Sequence, residues 1–114
     1  MQAIPRSLMR LPLQQDIEAD FCTRLDSGAR ACSQLFSSGN YQRVDTPIME
    51  NTELFLRKSG GELASRLYSF TDPGGYAVSL RPEFTAPVIR HILEEVGLDK
   101  LPLRFQYSGP VFRY

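Results

Sequence analysis

Cysteine is scarce in this chain. There are two in 114 residues, Cys22 and Cys32, and no Cys-x-x-Cys pair. That excludes a disulfide framework, and a reducing cytoplasm is the expected setting. Histidine is scarcer still. His91 stands alone inside a helical pattern, so it is expected to be a surface or packing residue, and no nucleophilic constellation is visible. No cluster of His, Cys and Asp offers a metal its ligands. Neither sign of charge dominates: thirteen basic and thirteen acidic side chains leave a net charge of zero. A dedicated nucleic-acid-binding module would carry a basic excess. No apolar run approaches the roughly 20 residues of a membrane span, and Met1 to Pro12 lacks the apolar stretch of a signal peptide. The glycine-bearing segments Lys58 to Gly61 and Asp72 to Gly75 match neither a P-loop nor a Rossmann fingerprint.

What remains is an ordinary soluble composition, 42% hydrophobic and 23% charged, long enough for one domain. Met1 to Leu11 is weakly patterned and reads as an arm or short strand. Ile17, Phe21, Leu25, Ala29, Cys32 and Leu35/Phe36 recur every three or four residues and predict a helix over Gln14 to Phe36. Its cysteines are about 280° apart around the axis, and both are expected to be small buried hydrophobes. Gly39 is free to take the left-handed cap. Tyr41 to Glu50 reads as extended, with Pro47 marking an edge strand or an interface. Asn51-Thr52 caps a short helix through Leu56, ahead of a flexible break at Lys58 to Gly61.

Leu67 to Phe70 and Tyr76 to Leu80 form a hairpin around the turn residues Asp72-Pro73-Gly74-Gly75. A second helix starts at Thr85 as N-cap, presents Ile89, Ile92, Leu93 and Val96, and ends at Gly97. Leu103, Phe105 and Tyr107 then make one apolar strand face opposite Arg104, Gln106 and Ser108. Val111 to Tyr114 is extended again. A stop in mid-strand is expected of a fragment, with a bare edge that invites pairing.

Two stretches carry chemistry. Leu80-Arg81-Pro82-Glu83-Phe84-Thr85-Ala86-Pro87 sets a carboxylate and a hydroxyl two residues apart between strand and helix. In extended backbone, i and i+2 share a side, so both can face a substrate ammonium. Equally, Thr85 caps the helix and Glu83 favours its positive end. In Gly109-Pro110-Val111-Phe112-Arg113-Tyr114, the guanidinium of Arg113 suits a phosphate, whose two oxygens match its fork. The alternative is an ion pair with Glu50, Glu53 or another strand's carboxylate.

In order, Arg43-Val44-Asp45-Thr46-Pro47-Ile48-Met49-Glu50, Glu53-Leu54-Phe55, Leu67 to Asp72, Leu80 to Ala86 and Tyr107 to Tyr114 resemble the start of a class II aminoacyl-tRNA synthetase catalytic domain. The nearest resemblance is to histidyl-tRNA synthetases. It covers roughly Gln14 to Tyr114, giving an arm over 1–12 and the N-terminal part of the catalytic domain over 13–114. The implied fold is α+β, an antiparallel sheet flanked by helices, incomplete.

The resemblance implies residue roles. The long helix and the strand ending at Pro47 correspond to motif 1, which builds the family's homodimer interface. Tyr107 to Tyr114 corresponds to the first half of motif 2, whose arginine, here Arg113, binds the ATP α-phosphate and serves catalysis. Glu83 and Thr85 match the residues that hold the amino-acid ammonium; Arg81 is expected with them at the amino-acid-binding site, where it and Pro82 shape the loop. The implied reaction joins the histidine carboxylate to the ATP α-phosphorus and releases pyrophosphate, with Mg²⁺ accompanying ATP; transfer to tRNA follows in the cytoplasm.

The chain departs from the pattern in several places. The motif 2 glutamate, motif 3, the histidine-specific segments and the anticodon-binding domain lie outside it. Ile4 to Arg10 replaces the usual Gly-Thr-Arg-Asp segment. Alone, the chain is expected to be inactive in the full reaction. A paralogue with the same fold stays open: the regulatory subunit of ATP phosphoribosyltransferase, which senses histidine and binds a catalytic partner subunit.

Overall fold

A computed structural model describes residues 3–114, apart from the side chains at 58–60. The chain divides into two units, Met1–Cys32 and Ser33–Tyr114. In the first, the arm forms a 3₁₀ turn at Arg6–Leu8 and no strand among the described residues. Helix α1 (Ala19–Ser38) begins later than the apolar period predicts. Its ladder opens at the Glu18 carbonyl, which accepts from Cys22 N–H at 2.9 Å. Just upstream, Leu13 takes a left-handed φ of 64° and Asp16 is tied to Arg10 at 3.0 Å. Periodicity marks a face but not a start, and no capping side chain stands at Leu13 to Gln15. Helix α1 buries none of its residues; Phe21 and Leu25 stay 49% and 47% exposed. Both cysteines are therefore exposed free thiols, not the buried hydrophobes expected.

The second unit opens with the end of α1. Tyr41 N–H bonds Phe36 O and Asn40 N–H bonds Ser37 O, each at 3.0 Å. The left-handed residue in this double cap is Asn40 (φ 65°), not Gly39. Asparagine adopts that region more readily than other side-chain-bearing residues.

Strand β1 (Gln42–Arg43) pairs in parallel with β5 (Phe105–Gln106). Strands β2 (Met49–Asn51), β4 (Ala77–Leu80) and β3 (Ser69–Thr71) form an antiparallel sheet in the order β2-β4-β3. The β3–β4 hairpin turns at Asp72-Pro73-Gly74-Gly75, where Gly75 takes φ 87° and Asp72 Oδ1 accepts from Tyr76 N–H at 2.8 Å. At the sheet centre, fully buried Ser79 links Thr52 and Ser69 through hydroxyl contacts of 2.8 and 2.7 Å.

Asn51 caps α2 (Thr52–Ala64), its side chain accepting from Glu53 N–H at 3.3 Å. The helix passes the expected end at Leu56 and includes Gly61, where a break was expected; the Lys58, Ser59 and Gly60 side chains of that break lie outside the described residues.

Helix α3 (Thr85–His91) runs into a wide turn, Ile92–Val96, closed by Gly97 at φ 91°. Its buried face is Ala86, Pro87 and Val88; Phe55 of α2, the helix that α3 contacts, and Pro82 are buried too, while Ile89 and Leu93 stay open. Of the predicted stripe, Ile92 and Val96 are half-buried while Ile89 and Leu93 are exposed, and α3 is most buried in its first turn. Strand β5 also departs from simple alternation. Gln106, placed on the polar face by its period, is buried. Its amide donates to Ser37 Oγ and Tyr41 O at 2.9 Å and approaches Ser33 O at 3.3 Å, so hydrogen bonds offset its burial. Among the described residues no helix is long and apolar enough to cross a membrane.

Candidate functional site

The stretch after β4 turns inward. Arg81, at 2% exposure, donates from its backbone N–H to Ile48 O at 2.8 Å. Its side-chain Nε reaches Pro110 O at 2.9 Å, and Nη1 reaches Thr46 O at 2.8 Å and Asp45 Oδ1 at 3.4 Å. The guanidinium lies 4.2 Å from the centre of the Phe84 ring, which stacks on Tyr107 at 5.2 Å. Arg81 thus engages protein groups from three segments. Gly109 makes room for it: a Cβ there would sit 2.7 Å from Nη2.

Pro82 is buried, and the chain then exits at Glu83, which is half-buried. The Glu83 carboxylate accepts from Thr85 N–H and, at 3.2 Å, from Ala86 N–H. Glu83 therefore supplies the side-chain cap of α3. The N-cap position is Phe84, without a side-chain bond, and Thr85 is the first helical residue rather than the cap. A carboxylate has about four lone-pair sites, so capping leaves it acceptor capacity toward an incoming cation. Thr85 is exposed beside it.

Arg113 comes to this loop from the far end of the chain. Phe112 N–H donates to Arg81 O at 2.9 Å, and Tyr114 N–H to Arg66 O at 3.0 Å, which lays residues 112–114 along the sheet's exit loop. Arg113 Nε then donates to Pro82 O at 2.9 Å. Among the described residues no other hydrogen bond or ion pair holds its guanidinium. The acids that would compete for it are engaged: buried Glu50 with Arg90 at 2.8 Å, and Glu53 with Arg57 at 3.1 Å. The hydrogen bond that Arg90 donates to Glu50 raises the Arg90 pKa above its ordinary value.

The structure thus brings Arg113 against the loop that bears Arg81, Glu83 and Thr85. Pro47 is exposed between β1 and β2, flanked by Thr46 and Ile48, whose carbonyls accept from Arg81. His91 is half-buried in α3, its ring 6.3 Å from Phe105 and Nδ1 3.7 Å from Glu95. Among the described residues no three His, Cys, Asp or Glu side chains are placed to share a metal ion. Sequence reading missed the Glu50–Arg90 pair and the burial of Arg81. Partners 40 and 35 residues apart leave no local signal, although an arginine wedged in Leu80-Arg81-Pro82 hints at an inward side chain.

The model of the family described as "Histidyl-tRNA synthetase" matches residues 14–114. The histidine–tRNA ligase of Geobacillus kaustophilus is 48% identical over 85 residues, 70% of this chain and 20% of that protein. The crystal structure of apo histidyl-tRNA synthetase from S. aureus superposes with a TM-score of 0.74 at 33% identity, over 100% of this chain and 26% of that one. A histidine–tRNA ligase subunit from Alicyclobacillus acidocaldarius gives 0.83 at 28% identity, over 97% and 33%. The antiparallel sheet with its helices is the class II fold of these structures. The chain spans about a fifth of the length of the curated relatives it matches.

Proposed function

Because the chain belongs to the histidyl-tRNA synthetase family, we propose that it supplies the amino-acid ammonium contact and one ATP phosphate contact of a class II histidine–tRNA ligase. The observation that carries this reading is the contact of the Arg113 segment with the loop that bears Glu83. Arg113 is anchored by Nε to Pro82 O, one residue before Glu83, and its terminal nitrogens are free for a phosphate. Glu83 offers its remaining acceptor capacity to the histidine ammonium, with Thr85 beside it.

In this reading the histidine carboxylate oxygen attacks the ATP α-phosphorus. An oxygen–phosphorus bond forms, the bond to the β-phosphate bridge breaks, and pyrophosphate leaves. The chain's residues act by positioning and by charge: Glu83 orients the amino acid, and Arg113 stabilises the negative charge that builds on the α-phosphoryl oxygens. Mg²⁺ enters with ATP as part of that substrate, held mainly through its phosphates. The aminoacyl group then passes to tRNA in the cytoplasm. Dimerisation runs through motif 1, with Pro47 at the interface; the exposed apolar stripe of α1, including Phe21 and Leu25, supports a partner for that helix.

The test is histidine-dependent ATP–pyrophosphate exchange by the whole protein that carries this chain. Exchange that is lost on substituting Arg113 or Glu83 supports the ligase. Histidine binding without exchange moves the assignment to the regulatory paralogue and its phosphoribosyltransferase partner.

A further inference from the structure

We propose that Arg81 is the positioning residue for Arg113, setting the guanidinium that faces ATP without itself touching substrate; this rests on the ligase reading above. The segments that bear the two arginines are joined twice. Arg81 O accepts from Phe112 N–H at 2.9 Å, which pins the backbone immediately before Arg113. Arg113 Nε, at the other end of its side chain, donates to the carbonyl of Pro82, the residue after Arg81, at 2.9 Å. Whatever fixes Arg81 therefore fixes both ends of the Arg113 side chain.

Arg81 is fixed from two further directions. Its Nε holds Pro110 O, upstream in the segment that bears Arg113. Its Nη1 holds Thr46 O, and its backbone N–H holds Ile48 O, on either side of Pro47. One planar fork thus ties the Thr46–Ile48 segment to the Pro110–Arg113 segment. A lysine ammonium lacks the fixed fork needed to serve Pro110 and Thr46 in this geometry while lying over the Phe84 ring.

The electrostatics argue against a role in stability alone. The charge is 2% exposed, and its single carboxylate partner among the described residues, Asp45, lies at 3.4 Å with 65% of its side chain in solvent. Burying a charge against so thin a partner is costly, and apolar replacements of such groups are often neutral or stabilising. Geometry delivered to Arg113 is what the guanidinium provides.

The test measures exchange kinetics in the whole protein for Arg81→Lys, Gly109→Ala, Arg113→Lys and the double variant Arg81→Lys/Arg113→Lys, with melting temperatures alongside. Gly109→Ala leaves Arg81 in place but crowds it, since the added Cβ meets Nη2 at 2.7 Å and the Phe84 ring at 3.3 Å. We expect Arg81→Lys to lower kcat about 10- to 100-fold while KM for histidine moves less than about twofold, and Gly109→Ala to follow in the same direction. In the Arg113→Lys background, Arg81→Lys should cost less than about threefold more, because the positioned group is already gone. Full multiplication of the two losses, or an unchanged kcat in folded Arg81→Lys protein, would overturn the proposal. An inactive unsubstituted protein would instead overturn the ligase reading, and this assignment with it.

Discussion

The Arg113 side chain is anchored along one edge: Nε donates to Pro82 O at 2.9 Å, and among the described residues no bond holds the two terminal nitrogens. A guanidinium held this way presents a preset pair of donors, and it loses little freedom when two phosphoryl oxygens arrive. Arg113→Lys keeps the charge but removes both the anchor and the fork. The expected result is a fall of about 10²- to 10³-fold in kcat for pyrophosphate exchange, with KM for histidine nearly unchanged. A drop confined to KM for ATP would show uniform ATP binding rather than transition-state stabilisation.

Glu83 combines two duties that one substitution can separate. Its carboxylate caps α3 through Thr85 and Ala86 N–H, and in the proposed function it also receives the substrate ammonium. Glu83→Gln retains an oxygen acceptor for the helix amides but not the negative charge. The helix should lose no more than about 1 kcal/mol, measured as a shift in the urea midpoint of the chain. Histidine affinity in the whole protein should fall at least about tenfold, because the ammonium loses its counter-charge. Unchanged affinity would assign Glu83 to the cap alone.

Local pattern made much of this fold legible. The Asp72 to Gly75 turn, the cap at Asn51 and the stop at Gly97 follow from residues whose backbone preferences act within a few positions. The start of α1 was not legible, because the Ile17–Phe21–Leu25 period continues upstream of the first helical hydrogen bond, at Glu18 O. The buried side of β5 was missed for another reason. Gln106 goes inward only because Ser37 and Tyr41, brought in by the end of α1, accept its amide hydrogens. At the site, Glu83, Thr85 and Arg113 were readable as types of chemistry in a given order. The commitment of Arg81 to Thr46 and Pro110 was not, since it depends on long-range closure.

Glu50 and Arg90 form an asymmetric pair. The Glu50 side chain is 7% exposed, whereas Arg90 is 22% exposed and also bonds Glu94 at 2.9 Å. Removing Arg90 strands a buried carboxylate; removing Glu50 leaves an arginine with a second partner and access to water. Arg90→Met should destabilise the chain by about 3 kcal/mol, and Glu50→Gln by clearly less. Chemical denaturation of the two variants gives the comparison, and equal losses would contradict the asymmetry. The raised Arg90 pKa favours the folded state fully below the ordinary arginine value, and that contribution is lost only as pH climbs through the folded one. The Arg90 contribution should therefore be flat across neutral pH.

Thr46 is buried beside this framework, and its Oγ1 has no hydrogen-bond partner among the described residues. Its backbone carbonyl, not its hydroxyl, accepts from Arg81 Nη1. A buried hydroxyl without a partner costs about 1–3 kcal/mol relative to one that is satisfied. Thr46→Val removes that hydroxyl, keeps the β-branched shape and leaves the carbonyl to Arg81. The variant should be as stable as the parent or more stable, by up to about 1 kcal/mol, with exchange activity of the whole protein intact. Urea unfolding at fixed pH measures the first and pyrophosphate exchange the second. A loss of stability greater than about 1 kcal/mol would mean that the hydroxyl has a partner in solution, and a loss of exchange without loss of stability would give the Thr46 side chain a place in the chemistry.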